Sequence, residues 1–394
     1  MGFWPFPGDL RPHLAHRLVL VSALTVAAAA GPGFAIAAEP SVRILLLERT
    51  ASVRVTVQGP CRASSLSKSL PPTVLETVRW QEVRPSSKGL QVGRTPFATD
   101  RLRLAPMESS MITVNGVKRR GALLILRRED GQLLVTNEVP LEDYLKGVVP
   151  REVDARWPTE TLKAQAIVAR TFTLRQVADR AGHEFDVTPT WPQLSGGLSD
   201  ERPRATEAVE ATRGLVLTTG GQLLLTYYHT VCGGRTEDAE AVWPTVRSPS
   251  LRSVECSYCR GAPRFHWLLV VSDETFTTAL APRGVPVGPV AEIQLGPRNR
   301  SGRVTTVTVV GADGSETVVP ALHVRAVLGP NRWRSTHFTV HRDDGRWVVE
   351  GFGWGHGVGL CQWGAARLGQ RKWTAPAILE FYYPGAELGQ WTPS

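Results

Sequence analysis

Residues Asn137 to Gln176 read NEVPLEDYLKGVVPREVDARWPTETLKAQAIVARTFTLRQ. This segment predicts a polar turn, then the apolar pair Val148-Val149, then a break at Pro150. One carboxylate, Glu152, is expected on a short loop ahead of a long helix. Pro158 suits the first helical position, where the missing N–H has no partner to lose. Glu160 adds negative charge at the positive end of that helix. The run LKAQAIVARTF consists largely of good helix formers, with Leu162, Ala166 and Ala169 on one apolar face. Small alanines permit close packing, so Glu152 is expected on a rigid base, as a general acid requires.

Outward from this segment the chain reads as α+β, with mixed, β-rich sheets and a few helices supporting a groove. Val42, Ile44 and Leu46 alternate, as do Val53, Val55 and Val57, which predicts strands in a β-rich N-terminal region, residues 38–135. Asn115-Gly116 and Asp130-Gly131 between apolar runs predict hairpins. Longer loops are expected around Ser64–Pro72 and Arg84–Arg94. A second helix is expected from Pro203 to a stop at Gly214, and a hairpin at Gly220-Gly221. Residues 136–260 then form the core, and residues 261–345 a β-rich subdomain with a hairpin at Asp313-Gly314. Residues 346–394 are expected to complete the groove, with helices from about Leu360 to Leu368 and from Pro376 to Tyr382.

The chain of 394 residues carries a formal net charge of +9. That charge suits an anionic wall polymer or membrane surface, and equally an arginine-rich proteome. No basic helix is interleaved with aromatics, which argues against nucleic acid as a partner. Arg11 and Arg17 precede LVLVSALTVAAAA, Leu18 to Ala30, and Ala35-Ile36-Ala37 supplies small residues for signal peptidase. Residues 1–37 are therefore read as an export signal, with an uncleaved anchor as the alternative. A membrane span needs about 20 apolar residues, and this run is shorter.

Two blocks resemble the SpoIID/LytB family. The first is VVPREVDARWPTETLKAQAIVARTF, Val148 to Phe172, where Val153-Asp154 replaces a usual Met-Pro. The second is GFGWGHGVGLCQWGAARLG, Gly351 to Gly369, followed by ILEFYYPG. The resemblance implies action on peptidoglycan glycan strands, as a lytic transglycosylase with Glu152 as its acid/base. The alternative that it implies is a non-catalytic, wall-binding enhancer of a partner amidase. Residue by residue it points to Arg170, Gln193, Trp354, His356 and Gln362 as substrate contacts. Ser195 departs from the pattern, standing where an aromatic is common. Glu152 could instead cap the following helix, or pair with Arg151 or Arg156.

Five cysteines are present. Cys61 and Cys361 are isolated and read as packed free thiols. His229, Cys232, Cys256 and Cys259 form H-x-x-C … C-x-x-C, the spacing of a tetrahedral, structural zinc site. A disulfide is the rival in an exported protein. A zinc hydrolase is disfavoured, since H-E-x-x-H is absent and four protein ligands leave no position for water.

Overall fold

A computed structural model describes residues 39–108, 111–190, 193–280 and 290–392. The expected signal segment, residues 1–37, lies outside the described residues. The architecture is α+β, as read from sequence. No helix among the described residues is long and apolar enough to cross a membrane.

Residues 41–140 fold into two six-stranded sheets. One contains Ser41–Thr50, Leu133–Pro140, Ala122–Arg127 and Arg101–Pro106; the other contains Val53–Val57, Val78–Ser86 and Gly89–Val92. Their inward residues, among them Val55, Leu90, Leu102, Leu123 and Val135, share one core. The hairpins at Asn115-Gly116 and Asp130-Gly131 form as expected. The loop expected at Arg84–Arg94 is instead a hairpin, Val83 pairing with Val92 and Ser86 with Gly89. Val83, Leu90 and Val92 alternate inward there, which gives the strands a buried face.

Among the described residues eight α-helices follow: α1 (Leu141–Glu152), α2 (Thr159–Asp179), α3 (Pro203–Ala211), α4 (Ala239–Val242), α5 (Asp273–Leu280), α6 (Ala321–Leu328), α7 (Gln362–Gln370) and α8 (Ala375–Tyr382). α2 is the central element. Leu162, Ala166, Ala169 and Leu174 pack against α1 and α3. Ala164, Ile167, Val168 and Phe172 face a second core shared with α7 and α8. A helix apolar around its circumference is a buried one. A further core, built on Trp267, Phe276, Trp333, Phe338 and Trp347, belongs to α5, α6 and the strands between residues 266 and 352.

The expected break at Pro150 does not occur. Residues 137–140 are strand rather than turn, and α1 runs through Pro150 to Glu152. Leu141, Leu145, Val148 and Val149 bury one face, and Pro150 falls in the last turn, where it forfeits a single backbone bond. The Val153 N–H still donates to the Val149 carbonyl at 3.0 Å. Glu152 therefore ends a helix and does not ride on a loop.

Candidate active site and cysteine cluster

Glu152 stands where α1, the loop after Gln193 and the start of α7 converge. The Leu194 N–H donates to Glu152 Oε1 at 2.6 Å. That loop is fixed from two directions. Thr173 Oγ1 donates to Gln193 Oε1 at 2.9 Å, and Gln193 Nε2 donates to the Ala169 carbonyl at 3.2 Å. Gly196 N–H donates to the Gly147 carbonyl at 3.1 Å, and a Cβ on Gly147 would lie 2.9 Å from the Gly196 oxygen. Only glycine allows this approach of loop to helix. Gln193 is buried, so its part is to position Leu194 rather than to contact substrate as expected.

The other wall comes from a two-residue parallel pairing, Tyr228–His229 with Leu360–Cys361. It brings Tyr228 and Gln362 to the Glu152 carboxyl, where both act on its titration. Neither the Tyr228 hydroxyl nor the Gln362 amide nitrogen closes a hydrogen bond of full geometry, although both are buried. Long or misaligned bonds of this kind are common in ligand-free catalytic sites. Burial pushes the Glu152 carboxyl up to about 7, against the lowering effect of the Leu194 N–H, Tyr228, Gln362 and Arg151. None of these dominant influences is a second carboxylate.

The structural roles open to Glu152 are filled by other groups. Arg156 pairs with Asp154 at 2.6 Å and Arg151 with Asp200 at 3.2 Å. α2 begins after Pro158 with no side-chain cap. Nearby, Trp157 and Trp363 meet edge to face with ring centres 5.1 Å apart.

Of the five expected substrate contacts, Gln362 is the one beside Glu152. Arg170 is fully buried: Nε and Nη2 donate to Glu142 at 2.8 and 2.7 Å, and Nη2 and Nη1 to the carbonyls of Val209 and Leu215. It clamps α1, α2 and α3 together. Trp354 is buried too, its Nε1–H donating to the Pro330 carbonyl at 3.2 Å, with the guanidinium groups of Arg264 and Arg334 over its ring. His356 accepts from the Val358 N–H at Nδ1, 3.1 Å, which leaves Nε2–H to donate to the Tyr228 carbonyl at 2.9 Å. Burial, reinforced by His229, holds it well below the usual histidine value. This neutral ring braces the glycine-rich loop and Tyr228. Gly357 lets the same loop press on Arg303, since a Cβ there would meet the guanidinium at 2.6 Å.

The fourth member of the cysteine cluster differs from expectation. The sulfurs of Cys232, Cys256, Cys259 and Cys361 all lie within 4.8 Å of one another, and all four residues are buried. His229 is outside the group: its Nδ1 lies 3.1 Å from the Val358 carbonyl, and burial and Arg303 push its pKa down to about 3. Cys361, expected as a packed thiol, joins because the parallel pairing sets it opposite His229. A tetrahedral zinc with Zn–S bonds of about 2.3 Å requires sulfurs about 3.8 Å apart, which these residues can meet. The surroundings suit thiolates. Cys232 and Gly364 N–H groups donate to Cys361 Sγ at 3.3 and 3.4 Å, and the Tyr382 hydroxyl lies 3.2 Å from Cys256 Sγ. Buried Arg303 adds a positive charge whose Nη2 donates to the Cys232 carbonyl at 2.6 Å. Donors and counter-charges around sulfur are the outer shell expected of a metal–thiolate centre.

Comparison with known proteins agrees with the first of the two sequence blocks. Residues 129–219 match the Stage II sporulation protein (SpoIID) family model, and residues 245–359 match a Domain of unknown function (DUF8618). A Stage II sporulation protein D of Bacillus subtilis (strain 168) is 30% identical over 272 residues, covering 64% of this chain and 75% of that protein. The chain belongs to the SpoIID/LytB family. An uncharacterized protein of Brachyspira hyodysenteriae is 31% identical over 360 residues, 90% of this chain and 94% of that protein. An amidase enhancer of Bacillus subtilis (strain 168) is 27% identical over 291 residues, and the match spans 40% of its length. The SpoIID match contains α1 and α2, and so includes Glu152 and its support.

Proposed function

We propose that this SpoIID/LytB protein is exported and cleaves peptidoglycan glycan strands as a lytic transglycosylase, with Glu152 as its single acid and base. The observation that carries the reading is the Glu152 carboxyl raised to about 7 by burial, beside Tyr228 and Gln362 and with no carboxylate partner among its dominant influences. Hydrolases that invert or retain configuration use two carboxylates. A lone carboxyl suffices when the attacking group belongs to the substrate. Protonated Glu152 gives its proton to the glycosidic oxygen as the C1–O bond breaks. The resulting carboxylate takes the proton of the muramic acid 6-hydroxyl as that oxygen bonds to C1, closing a 1,6-anhydro ring. No water is consumed, and Glu152 ends protonated. A pKa near the working pH serves both steps.

The four cysteines are proposed to hold one structural zinc. It would tie Cys361, at the start of α7, to the loop segments carrying Cys232, Cys256 and Cys259. Gln362 follows Cys361 directly, so the ion would support the Glu152 site without entering the reaction.

A second reading, that of a non-catalytic enhancer of a partner wall amidase, is favoured by the amidase enhancer relative. Product masses from purified glycan strands separate the two. Products ending in an anhydro sugar, one water lighter than hydrolysed ones, support the transglycosylase. Intact strands, together with stimulation of an added amidase, support the enhancer.

A further inference from the structure

Trp80 lies far along the sequence from these sites, in the N-terminal sheet that contains Val53–Val57 and Val78–Ser86. It is 65% exposed and its φ is 53°, in the left-handed region. A bulky, non-glycine residue in that region is strained, and strain of this kind persists where the surrounding structure imposes it. Here the imposing feature is a break in register. Val55 pairs with Gln81 but Val57 pairs with Val78, so Arg79 and Trp80 together oppose Thr56, one residue in excess. Bulges of this type re-aim side chains. The Trp80 N–H is held by Thr56 Oγ1 at 3.0 Å, and the indole remains outside the core.

The re-aimed ring borders an open cleft of about 500 Å³, lined by Ser52, Arg54, Trp80, Glu82, Asn115 and Gly116. The polar groups are arranged around it by the sheet. Arg54 stands opposite Glu82, and the Arg54 N–H donates to Asn115 Oδ1 at 3.2 Å. Ser52 Oγ donates to Glu82 Oε1 at 2.5 Å. Arg54 and Glu82, one charge of each sign, line the cleft together with Trp80.

We propose that this cleft is a second carbohydrate-binding site, taking a pyranose ring of a glycan strand apart from the Glu152 centre. The flat apolar face of a sugar stacks on an exposed indole, and its hydroxyls need donors and acceptors together. Arg54 and Asn115 supply donors, Glu82 supplies acceptors, and Ser52, its proton given to Glu82, supplies a further acceptor. A cleft for an anion would lack Glu82, and one for an apolar peptide would lack the charged pair. The choice of glycan rests on the substrate proposed above; the existence of the cleft does not.

The test measures binding of purified, uncleaved peptidoglycan glycan strands to full-length Glu152→Gln protein, with and without Trp80→Ala. Loss of the stacking face should weaken binding about tenfold, while Trp80→Phe should restore most of it. Equal affinity with and without the indole would overturn the proposal. Replacing Trp80 by glycine should relieve the backbone and raise the melting temperature by about 2 °C, and a lower melting temperature would overturn the strain argument. Because the readout is binding to intact strands, compared with and without the indole, its outcome is distinct from whether the wild-type chain yields anhydro products.

Discussion

The backbone N–H of Leu194 points at Glu152 Oε1 from 2.6 Å, yet the carboxyl is still raised to about 7. A hydrogen bond to the charged form favours ionisation, so burial must outweigh it. The site therefore combines a donor that fixes the carboxyl with surroundings that keep it half-protonated near neutrality. Gln193 sustains the pairing from behind, through Thr173 and Ala169 on α2.

Glutamine at 152 keeps the shape and the Leu194 bond but has no proton to give. In the transglycosylase reading, Glu152→Gln should lose glycan cleavage by at least about 10³-fold, since a sole general acid is worth the upper part of the usual range. Circular dichroism and melting should show an intact fold. Anhydro products formed at the wild-type rate by folded Glu152→Gln protein would refute the assignment.

The raised pKa also predicts two pH dependences. Activity should decline above pH 7 as the acid loses its proton, a fall read from kcat/KM on glycan strands. Stability follows from linkage. The folded-state value of about 7 exceeds the ordinary 4.5, so the protonated form is favoured in the folded chain. Its stabilising contribution is complete below about pH 4.5 and is lost as pH rises to 7. Across that window the wild type should lose stability relative to Glu152→Gln, on the order of 1–3 kcal/mol, in urea melts run from pH 4 to 8. A constant difference between the two chains would show that the carboxyl is not raised.

How much of this was legible in sequence depends on how local each signal is. The hairpins at Asn115-Gly116 and Asp130-Gly131 could be read because glycine chemistry sets those turns. The apolar face of α2 at Leu162, Ala166 and Ala169 could be read because helical spacing repeats along one segment. α1 was obscured by Pro150, whose cost is small in a last turn. The Tyr228–Glu152 relationship was hidden because a two-residue strand has no periodicity; the only signal was the tyrosine's place beside His229. The place of Cys361 in the cluster is hidden in sequence for a related reason. C-x-x-C spacing marks Cys256 and Cys259, but the fourth sulfur arrives through pairing of strands distant in sequence. The residue types at Arg170, Gln193, Trp354 and His356 were compatible with sugar contact, and only packing shows them bonded to the protein instead.

The cysteine cluster makes a prediction that separates Cys361 from His229. Purified protein should contain about one equivalent of zinc, measured by elemental analysis, and chelation should lower its melting temperature. Cys361→Ser should lose most of the bound metal, whereas His229→Gln should retain it. Retention in the cysteine variant with loss in the histidine variant would restore the H-x-x-C assignment. A mapped disulfide among Cys232, Cys256 and Cys259 in metal-free protein would exclude the zinc centre.

The pair Arg170–Glu142 gives the last test, because a buried clamp and a substrate contact fail differently. Arg170 donates twice to Glu142 and twice more to backbone carbonyls, with no exposed surface. Removing one partner of a buried ion pair typically costs about 3–5 kcal/mol, since the other charge is left without compensation. Arg170→Met should therefore lower the unfolding midpoint sharply. Adding Glu142→Leu should recover a large part of that loss, because the stranded carboxylate is then gone. In whatever fraction stays folded, KM for glycan strands should match the wild type. A variant of wild-type stability with a raised KM would instead place Arg170 in contact with substrate.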